Sequence, residues 1–459
     1  MKLLIPCLAF ASLASAAGPE LMQQLMARKT EHRIKLRAEG LFDEGRYLGV
    51  NKLTPCANGK SGEYSCQNVD MHGFLSHQAM GSRTREGNDV WAVRDDSLIW
   101  FITGWTSPDG REFGAIGQTD GTAFVEVLKD GTLKYIARLN TQTSSSIWRD
   151  MKVIDGYCYI GSEAASHGLQ VFDMRKLLTT SQVKTFSSAD LTAHLAAFGS
   201  SHNIVAHEEK KMIYAVGTTR TNSCRGGLFM VDVSNPASPR DVGCASQDGY
   251  VHDAQCVVYT GPDTKYKGKE ICFNYNEDTL TIMDLTSKSA PRVISKTPYT
   301  GARYTHQGWL ADENMSYLLL DDELDEQQST NPGIKGRTTT YIFDIRSLER
   351  PVNTGYYQSP VKAADHNMYV LNGHAYQANY ASGLRIVDVS SVARDPTGKS
   401  FKQTGFFDTH PQDDAAGGST AFSGVWSVYP YFKSGYILLN SIERGAFSLK
   451  YTGPQAGKA

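Results

Sequence analysis

The run Gly227-Leu-Phe-Met-Val-Asp232 decides the fold, because this apolar strand ending in an acidic residue recurs along the chain. Clear copies begin at residues 168, 279, 339 and 383, and weaker copies begin at residues 121 and 445. The seven copies lie 44 to 62 residues apart, a period typical of four-stranded blades. Each copy follows another apolar strand without a helical period between them, which excludes a parallel α/β sheet. The sequence therefore predicts an all-β fold, a seven-bladed β-propeller, with a pair of β-sandwiches as the alternative.

The rest of the chain is organised around these repeats. Residues 1–17 have the pattern of a secretory signal peptide, with a positive start, an apolar stretch and a small-residue cleavage site. Residues 18–86 are predicted to form a short N-terminal helix and a disulfide-bearing loop, residues 87–451 the propeller, and residues 452–459 a tail. The last repeat is one strand short, so we predict that residues 68–75 supply the closing strand.

Composition limits the partners. The net charge is -2, from 46 basic and 48 acidic residues, so nothing favours nucleic acid. No segment after the signal is long and apolar enough for a membrane span, and the C-terminus lacks the apolar tail of a lipid anchor. We expect a secreted, extracellular, soluble monomer whose partner is a protein or a glycan.

The eight cysteines suit an oxidising compartment. Spacing alone does not fix their connectivity, and the plausible pairs are Cys56–Cys66, Cys224–Cys244 and Cys256–Cys272. Because Cys7 lies in the signal, Cys158 is left over within an apolar strand, where a buried free thiol is expected rather than a reactive one. Asn314 begins a glycosylation sequon on a predicted turn between two strands.

Several motifs resemble those of the choice-of-anchor B family. They are residues 144–150, 161–164, 167–168, 250–256, 305–309, 322–326, 365–367 and 383–389. The last of these, Gly383-Leu-Arg-Ile-Val-Asp-Val389, is similar to the LVIVD-type repeat of that family. The resemblance covers residues 56–450. It implies an extracytoplasmic propeller, anchored by varied tails in bacteria, and supplies no established activity.

The first blade departs from that family pattern. The pattern runs Gly-Asn-Asp-x-Trp directly into Gly-Trp-Thr, whereas here Gly87–Trp91 and Gly104–Thr106 are separated by residues 92–103. The insert is either a surface loop or an error in the gene model, such as an unspliced intron. It leaves the geometry of the first blade open.

Four consecutive blades present a histidine where their inner strands open, at His202, His252, His306 and His366. The other blades open with Trp91 beside Asp89, Arg149-Asp150 and Trp426. Inner strands start at the channel mouth, so these positions should form a ring about the axis. Converging imidazoles could bind Zn, Cu, Fe or Ni. The alternative is a structural role for each histidine, although Trp in blades 1 and 7 indicates that the fold does not require it.

Acidic turns after the second strands are expected on the same face. The candidates for orienting the histidines or binding a cation directly are Asp150, Glu163, His167, Asp253, Asp321, Asp322, Glu323, Asp325 and Glu326. The carboxylates among them would accept hydrogen bonds from the histidine ring nitrogens that do not bind the metal, or they would bind Ca²⁺ through their oxygens. The alternative for residues 321–326 is a solvated loop.

Two functions remain open at this point. One is an extracellular binding or scaffold propeller holding a divalent metal (Zn, Fe, Cu or Ca) at the histidines. The other is a metal-dependent extracellular enzyme, an oxidoreductase or a hydrolase, with no catalytic residue assigned. The four-histidine layout is similar to that of seven-bladed carotenoid oxygenases in geometry only, since their motifs are absent. Nucleophile-elbow, P-loop, dinucleotide and Cys-x-x-Cys zinc motifs do not occur in the chain.

Overall fold

A computed structural model describes residues 19–92, 107, 109–219 and 223–458. The predicted signal peptide, residues 1–17, and residues 93–103 of the insert lie outside the described residues. The described chain forms seven β-sheets, here called blades 1 to 7. The inner strand of each blade neighbours that of the next, and the inner strand of blade 7 neighbours that of blade 1. The prediction of a seven-bladed propeller is confirmed.

Blades 1 to 3 follow one another along the chain. From the inner strand outward, blade 1 comprises Gly87–Ala92, Glu112–Gln118, Gly121–Val127 and Leu133–Asn140, with Lys184–Phe186 added in parallel at its outer edge. Blade 2 comprises Arg149–Ile154, Tyr157–Ser162, Leu169–Asp173 and Ala193–Leu195. Blade 3 comprises Asn203–His207, Met212–Val216, Leu228–Asp232 and Arg240–Ala245.

Blades 4 to 7 complete the ring. Blade 4 comprises Asp253–Val258, Glu270–Tyr275, Leu280–Asp284 and Arg292–Thr297, and blade 5 comprises Thr305–Leu310, Tyr317–Asp322, Arg337–Asp344 and Val352–Lys362. Blade 6 comprises Asn367–Leu371, His374–Ala378, Leu384–Asp388 and Lys402–Phe407, with Tyr64–Gln67 and Lys60–Ser61 added at its outer edge. Blade 7 comprises Val425–Tyr429, Tyr436–Ser441, Gly445–Tyr451 and Val69–Ser76. Short 3-10 helices are Met174–Leu177, Ser188–Asp190 and Asp414–Ala416.

The repeated sequence element is the third strand of each blade. Each blade lies between two neighbours, so both faces of its middle strands are buried, as in Leu228–Val231 and Tyr317–Asp322. This explains continuous apolar runs in place of alternation. The terminal acid has a local role: the Asp232 carboxylate accepts from the Ser234 main-chain N–H at 2.9 Å. Such Asx turns direct the chain toward the outer strand.

The ring is closed by two distant segments. Val69–Ser76 pairs antiparallel with Gly445–Tyr451, and Met71 lies opposite Leu449. This is the region that the sequence assigned to closure. Blade 7 therefore takes three strands from the end of the chain and its outer strand from near the beginning.

A single α-helix among the described residues, α1 (Pro19–Ala38), lies over the end of the channel where the inner strands begin. Its buried side chains Met22, Leu25 and Leu36 pack in one cluster with Trp148 and Trp426. Two basic side chains of α1, Lys29 and Arg33, are also buried. No helix of the described chain has the length and hydropathy needed to cross a membrane.

The described cysteines form the three expected disulfides, Cys56–Cys66, Cys224–Cys244 and Cys256–Cys272. Cys158 is free and buried, and burial raises the pKa of its thiol. This agrees with an inert core cysteine. Asn314 is exposed on the turn between the first two strands of blade 5.

Candidate metal centre on the propeller axis

The four predicted histidines lie side by side at the end of the channel covered by α1. The ring centroids of His202 and His252 are 4.3 Å apart, those of His252 and His306 are 4.0 Å apart, and those of His306 and His366 are 4.4 Å apart. All four side chains are buried. The Trp426 ring continues the arc, 4.8 Å from His366. Equivalent repeat positions therefore form a ring about the axis, as expected.

Main-chain carbonyl groups orient two of these imidazole rings through their Nδ1 atoms. His252 Nδ1 donates to the His306 carbonyl at 2.7 Å, and His366 Nδ1 donates to the Trp426 carbonyl at 2.6 Å. A carbonyl oxygen only accepts, so Nδ1 carries the proton and the neutral ring has its lone pair on Nε2. Metal-binding histidines are oriented in the same way. His306 Nδ1 has no hydrogen-bond partner among the described residues.

Burial favours the neutral form of three of these imidazoles. It lowers the pKa of His252, His306 and His366 well below the usual value, and neighbouring imidazoles and Lys29 lower it further. Neutral imidazole is the form that binds metal.

Glu323 faces two of the histidines. Its Oε2 is 3.9 Å from His306 Nε2, and its Oε1 is 3.8 Å from His366 Nε2. Oε1 also accepts from the Lys29 ammonium at 2.5 Å and from the Tyr380 hydroxyl. Oε2 has no hydrogen-bond partner among the described residues. The carboxylate is thus anchored through one oxygen and presents the other toward His306.

Two imidazole nitrogens and one carboxylate oxygen converge at this point. The ligand atoms of His306, Glu323 and His366 all lie within 4.8 Å of one another. This donor set is typical of zinc and of iron, where two histidines and one carboxylate leave open positions. The arrangement can hold a transition metal with a small inward movement of the side chains.

Lys29 occupies an aromatic enclosure beside Glu323. Its Nζ lies 5.1 Å from the Phe422 ring, 5.2 Å from Trp426, 5.8 Å from Tyr380 and 6.0 Å from Trp148. Burial lowers the pKa of this lysine, and Glu323 partly offsets the effect. The helix α1 therefore inserts a cation next to the histidines.

Among the predicted acidic and polar candidates, Glu163 also reaches the arc, since it accepts from His202 Nδ1 at 2.5 Å. His167 instead lies 3.0 Å from Arg149 Nη1. Asp150 pairs with Lys152 at 2.6 Å, deeper in the channel. Asp253 also lies there, and burial raises its pKa to about 7. These last three candidates do not contact the histidines.

The acidic run 321–326 is buried and not a solvated loop. Asp322 accepts four main-chain N–H groups, from Arg303, Tyr304, Leu324 and Asp325. Asp325 accepts from the Tyr341 hydroxyl at 2.6 Å, and Glu326 from the Thr339 main chain at 2.8 Å. Asp322, Asp325 and Glu326 therefore stabilise the local fold of this turn.

Two carboxyls lie beside this turn with few partners. Burial raises the pKa of Asp321 to about 8. Burial and four neighbouring acids raise the pKa of Asp365 well above its usual value. Neither carboxyl has a hydrogen-bond partner among the described residues. Their protonated forms explain how so many acids are buried together.

Lys29, Tyr380 and Asp365 were not predicted as site residues. Tyr380 follows the second strand of blade 6, as Glu323 follows that of blade 5, so the repeat could have revealed it. Lys29 lies outside the repeats and had no such signal. Asp365 directly precedes His366 within a quoted motif, but its burial could not be read from the sequence.

The expected equivalence of Trp91 with the histidines is wrong. The Trp91 ring contacts Tyr369 and Tyr429, each with centroids 5.5 Å away. Those residues come three positions after His366 and Trp426, so Trp91 belongs to a deeper level of the channel. The residue of blade 1 that is equivalent to the four histidines is therefore Asn88, three positions before Trp91. Matching tryptophan with tryptophan placed this strand three residues out of register.

Part of blade 3 matches a known repeat family. Residues 224–244 match the LVIVD repeat. The matched segment contains the third strand of blade 3 and all but the last residue of its outer strand, so the LVIVD repeat is confirmed there. No curated protein matches the chain.

Two solved structures resemble the chain at low identity. The match with the computationally designed Ika8 protein covers 80% of this chain and 96% of the Ika8 chain, with 11% sequence identity and a TM-score of 0.41. The match with the periplasmic gluconolactonase PpgL of Pseudomonas aeruginosa covers 69% of this chain and 92% of the PpgL chain, with 10% sequence identity and a TM-score of 0.43.

Proposed function

We propose that this LVIVD-repeat propeller is a secreted protein of the choice-of-anchor B kind, an extracellular binding or scaffold protein that holds one divalent transition metal at His306, Glu323 and His366. The observation that supports the metal is Glu323 Oε2, a buried oxygen without a hydrogen-bond partner among the described residues, 3.9 Å from His306 Nε2. Burying a polar oxygen without a hydrogen bond is costly. A cation between this oxygen and the two Nε2 atoms would remove that cost.

The donor set selects the class of metal. Imidazole ligands suit Zn²⁺, Fe²⁺ and Cu²⁺, whereas Ca²⁺ takes oxygen ligands. His252, whose ring centroid is 4.0 Å from that of His306, is the candidate for a third nitrogen. Lys29 and Tyr380 would hold Glu323 in place through its other oxygen.

The cover over the site favours a binding protein over an enzyme. His306, Glu323 and His366 are at most 2% exposed, and α1 packs over them. A substrate could reach the metal only after α1 moved. A covered metal would instead stabilise the channel and leave the outer surfaces for partners. The three disulfides fit an extracellular location.

Metal content tests the proposal. The purified protein is stripped with a chelator, reloaded separately with Zn²⁺, Fe²⁺ or Cu²⁺, and analysed by mass spectrometry. We expect one ion per chain in the wild type and its loss in His306→Ala and Glu323→Gln. His374→Ala is the matched control, because it removes a buried histidine from another part of blade 6.

A folded wild type that retains none of these metals would overturn the metal assignment. Equal retention by all three variants would also overturn it. N-terminal sequencing of protein exported by a secreting host tests the signal peptide separately, and the expected mature chain begins after residue 17.

A further inference from the structure

The ammonium group of Lys29 occupies a site that the blades build. Glu323 Oε1, from the turn after the second strand of blade 5, lies 2.5 Å from Lys29 Nζ. Four aromatic rings from segments of blades 2, 6 and 7 surround the same atom, with centroids between 5.1 and 6.0 Å away. The rings are those of Trp148, Tyr380, Phe422 and Trp426. We call Glu323 and these four rings the ammonium site.

The composition of the ammonium site suits a desolvated alkylammonium group. Aromatic faces attract a cation, and this attraction is strongest where water is excluded. All five side chains of the site are at most 5% exposed. A buried carboxylate that loses its cation is strongly destabilising. The site therefore requires an ammonium group, whichever chain supplies it.

The helix α1 is attached to the propeller through its side chains. It is held by the apolar side chains described above and by ion pairs of Arg33 and Arg37 with Glu86, at 3.0 and 2.6 Å. None of the described strand pairs and disulfides includes a residue of α1. The main chain after α1 first pairs with a blade at Val50. The helix can therefore leave the channel mouth without opening a blade, and Lys29 is a replaceable occupant of the site.

We propose that the ammonium site binds a lysine side chain of an extracellular protein partner, and that α1 fills the site with Lys29 until this partner displaces it. Glu323 accepts a hydrogen bond, which a primary ammonium group donates and a quaternary one does not. The enclosure surrounds one compact charge, whereas a guanidinium group is planar and larger. The proposal rests on the binding role proposed above and specifies its partner. It requires no metal, because the ammonium group pairs with Oε1 and the metal would use Oε2.

Removing the internal lysine tests the site. Full-chain Lys29→Ala keeps Glu323 and the four rings but lacks the cation. Its urea unfolding is measured at pH 7 and constant ionic strength, with a chelator present, against increasing Nα-acetyl-lysine amide. The comparison probes are the uncharged Nα-acetyl-norleucine amide and the Nε-trimethylated lysine amide. We expect lysine amide to raise the urea midpoint as a bound ligand does, and either comparison probe to need about tenfold or more concentration for the same rise.

Two further variants provide the controls. Lys35→Ala removes a lysine of the same helix whose ion pair with Glu39 is exposed, so lysine amide should leave its urea midpoint unchanged. Phe422→Leu, combined with Lys29→Ala, removes the ring nearest to the ammonium group. This double variant should need about threefold or more lysine amide for half of the effect.

The wild type shows whether α1 is displaced, even if Lys29→Ala does not fold. Glu31 is exposed on α1, and endoproteinase Glu-C cuts after it only when the helix is undocked and unfolded. A ligand that binds only the undocked form raises its population by a factor of one plus the ratio of ligand concentration to Kd. Cleavage after Glu31, followed by mass spectrometry, should therefore be about fivefold faster at about four times the Kd of lysine amide. Norleucine amide should leave the rate unchanged.

Equal responses to lysine amide and norleucine amide would overturn the proposal. So would a folded Lys29→Ala that lysine amide does not stabilise, or a wild-type cleavage rate that lysine amide does not change. A preference for the trimethylated probe would overturn the assignment of lysine. Metal content is measured on separate samples without chelator, so a response to lysine amide in a protein that binds no metal would refute the metal assignment alone.

Discussion

Replacing Lys29 by methionine should destabilise the protein strongly, because it leaves the Glu323 carboxylate buried without its cation. Glu323 is 0% exposed, and its Oε1 would keep only the Tyr380 hydroxyl. Breaking a buried ion pair on one side costs about 3–5 kcal/mol. Methionine preserves most of the side-chain length, so little of that loss comes from a cavity.

The double variant separates the ion pair from simple packing. Glu323→Gln removes the charge but keeps an acceptor for Tyr380, and alone it leaves the Lys29 ammonium unpaired among aromatic rings. With both changes no unpaired charge remains. We therefore expect Lys29→Met/Glu323→Gln to be more stable than the sum of the single losses predicts, by about 2–4 kcal/mol.

Equilibrium urea unfolding, followed by tryptophan fluorescence at pH 7, measures these free energies. A chelator is present throughout so that metal loss does not contribute, and the disulfides are kept oxidised. Lys211→Met is the control, since its ion pair with Asp155 is exposed and should contribute no more than about 1 kcal/mol. Single losses below 1 kcal/mol, or losses that add within about 0.5 kcal/mol, would refute the assigned role of Lys29.

Three further changes test other parts of the fold. Burial lowers the pKa of His77 to about 4, so the stability that depends on neutral His77 is complete above pH 6.5 and is lost as the pH falls toward 4. At pH 5 this loss of unfolding free energy is about 2 kcal/mol. Urea unfolding at pH 7.5 and at pH 5 should therefore show a drop in stability that is smaller in His77→Gln than in the wild type by about that amount. A Cβ on Gly308 would lie 2.4 Å from the Leu319 carbonyl oxygen, so Gly308→Ala should lower the free energy of unfolding by about 1–3 kcal/mol, while Gly49→Ala, with its nearest contact at 3.4 Å, should cost less in the same assay. Cys56→Ser/Cys66→Ser should cost about 2–3 kcal/mol through loss of the Cys56–Cys66 bridge; an unchanged urea midpoint would contradict this.

The sequence predicted the blades well because their pattern has a local cause. Middle strands covered on both faces are mostly apolar, and five of the seven third strands end in an aspartate that can direct the next turn, as Asp232 does through the Ser234 N–H. The histidine arc followed from the same repeat, since equivalent positions of a closed ring must meet at its axis. Neither inference needed a long-range contact.

The rest of the site depends on contacts that the repeat does not encode. Lys29 comes from a helix outside the repeats, and its role depends on how α1 docks. The burial of Asp321 and Asp365 depends on how the turn after residue 322 folds inward, which four main-chain bonds to Asp322 determine. The position of Trp91 was predicted wrongly because it was matched to Trp426 by residue type, whereas the hydrogen-bond register of the strands decides which positions are equivalent. Repeats predict positions around the axis, but they do not predict what covers the axis.

The closing strand has a consequence for synthesis. Val69–Ser76 leaves the ribosome well before its partner Gly445–Tyr451 exists, so its unpaired edge persists while six blades are being made. Exposed strand edges are templates for wrong pairing, and contacts this distant in sequence form slowly. Export with the chain still incomplete would therefore expose an unpaired strand at one end and an unfinished blade at the other. The early disulfide Cys56–Cys66 lies next to that waiting strand, since the Cys56 main-chain N–H donates to Asp70 at 2.7 Å, and it can hold the strand in place until the last residues arrive.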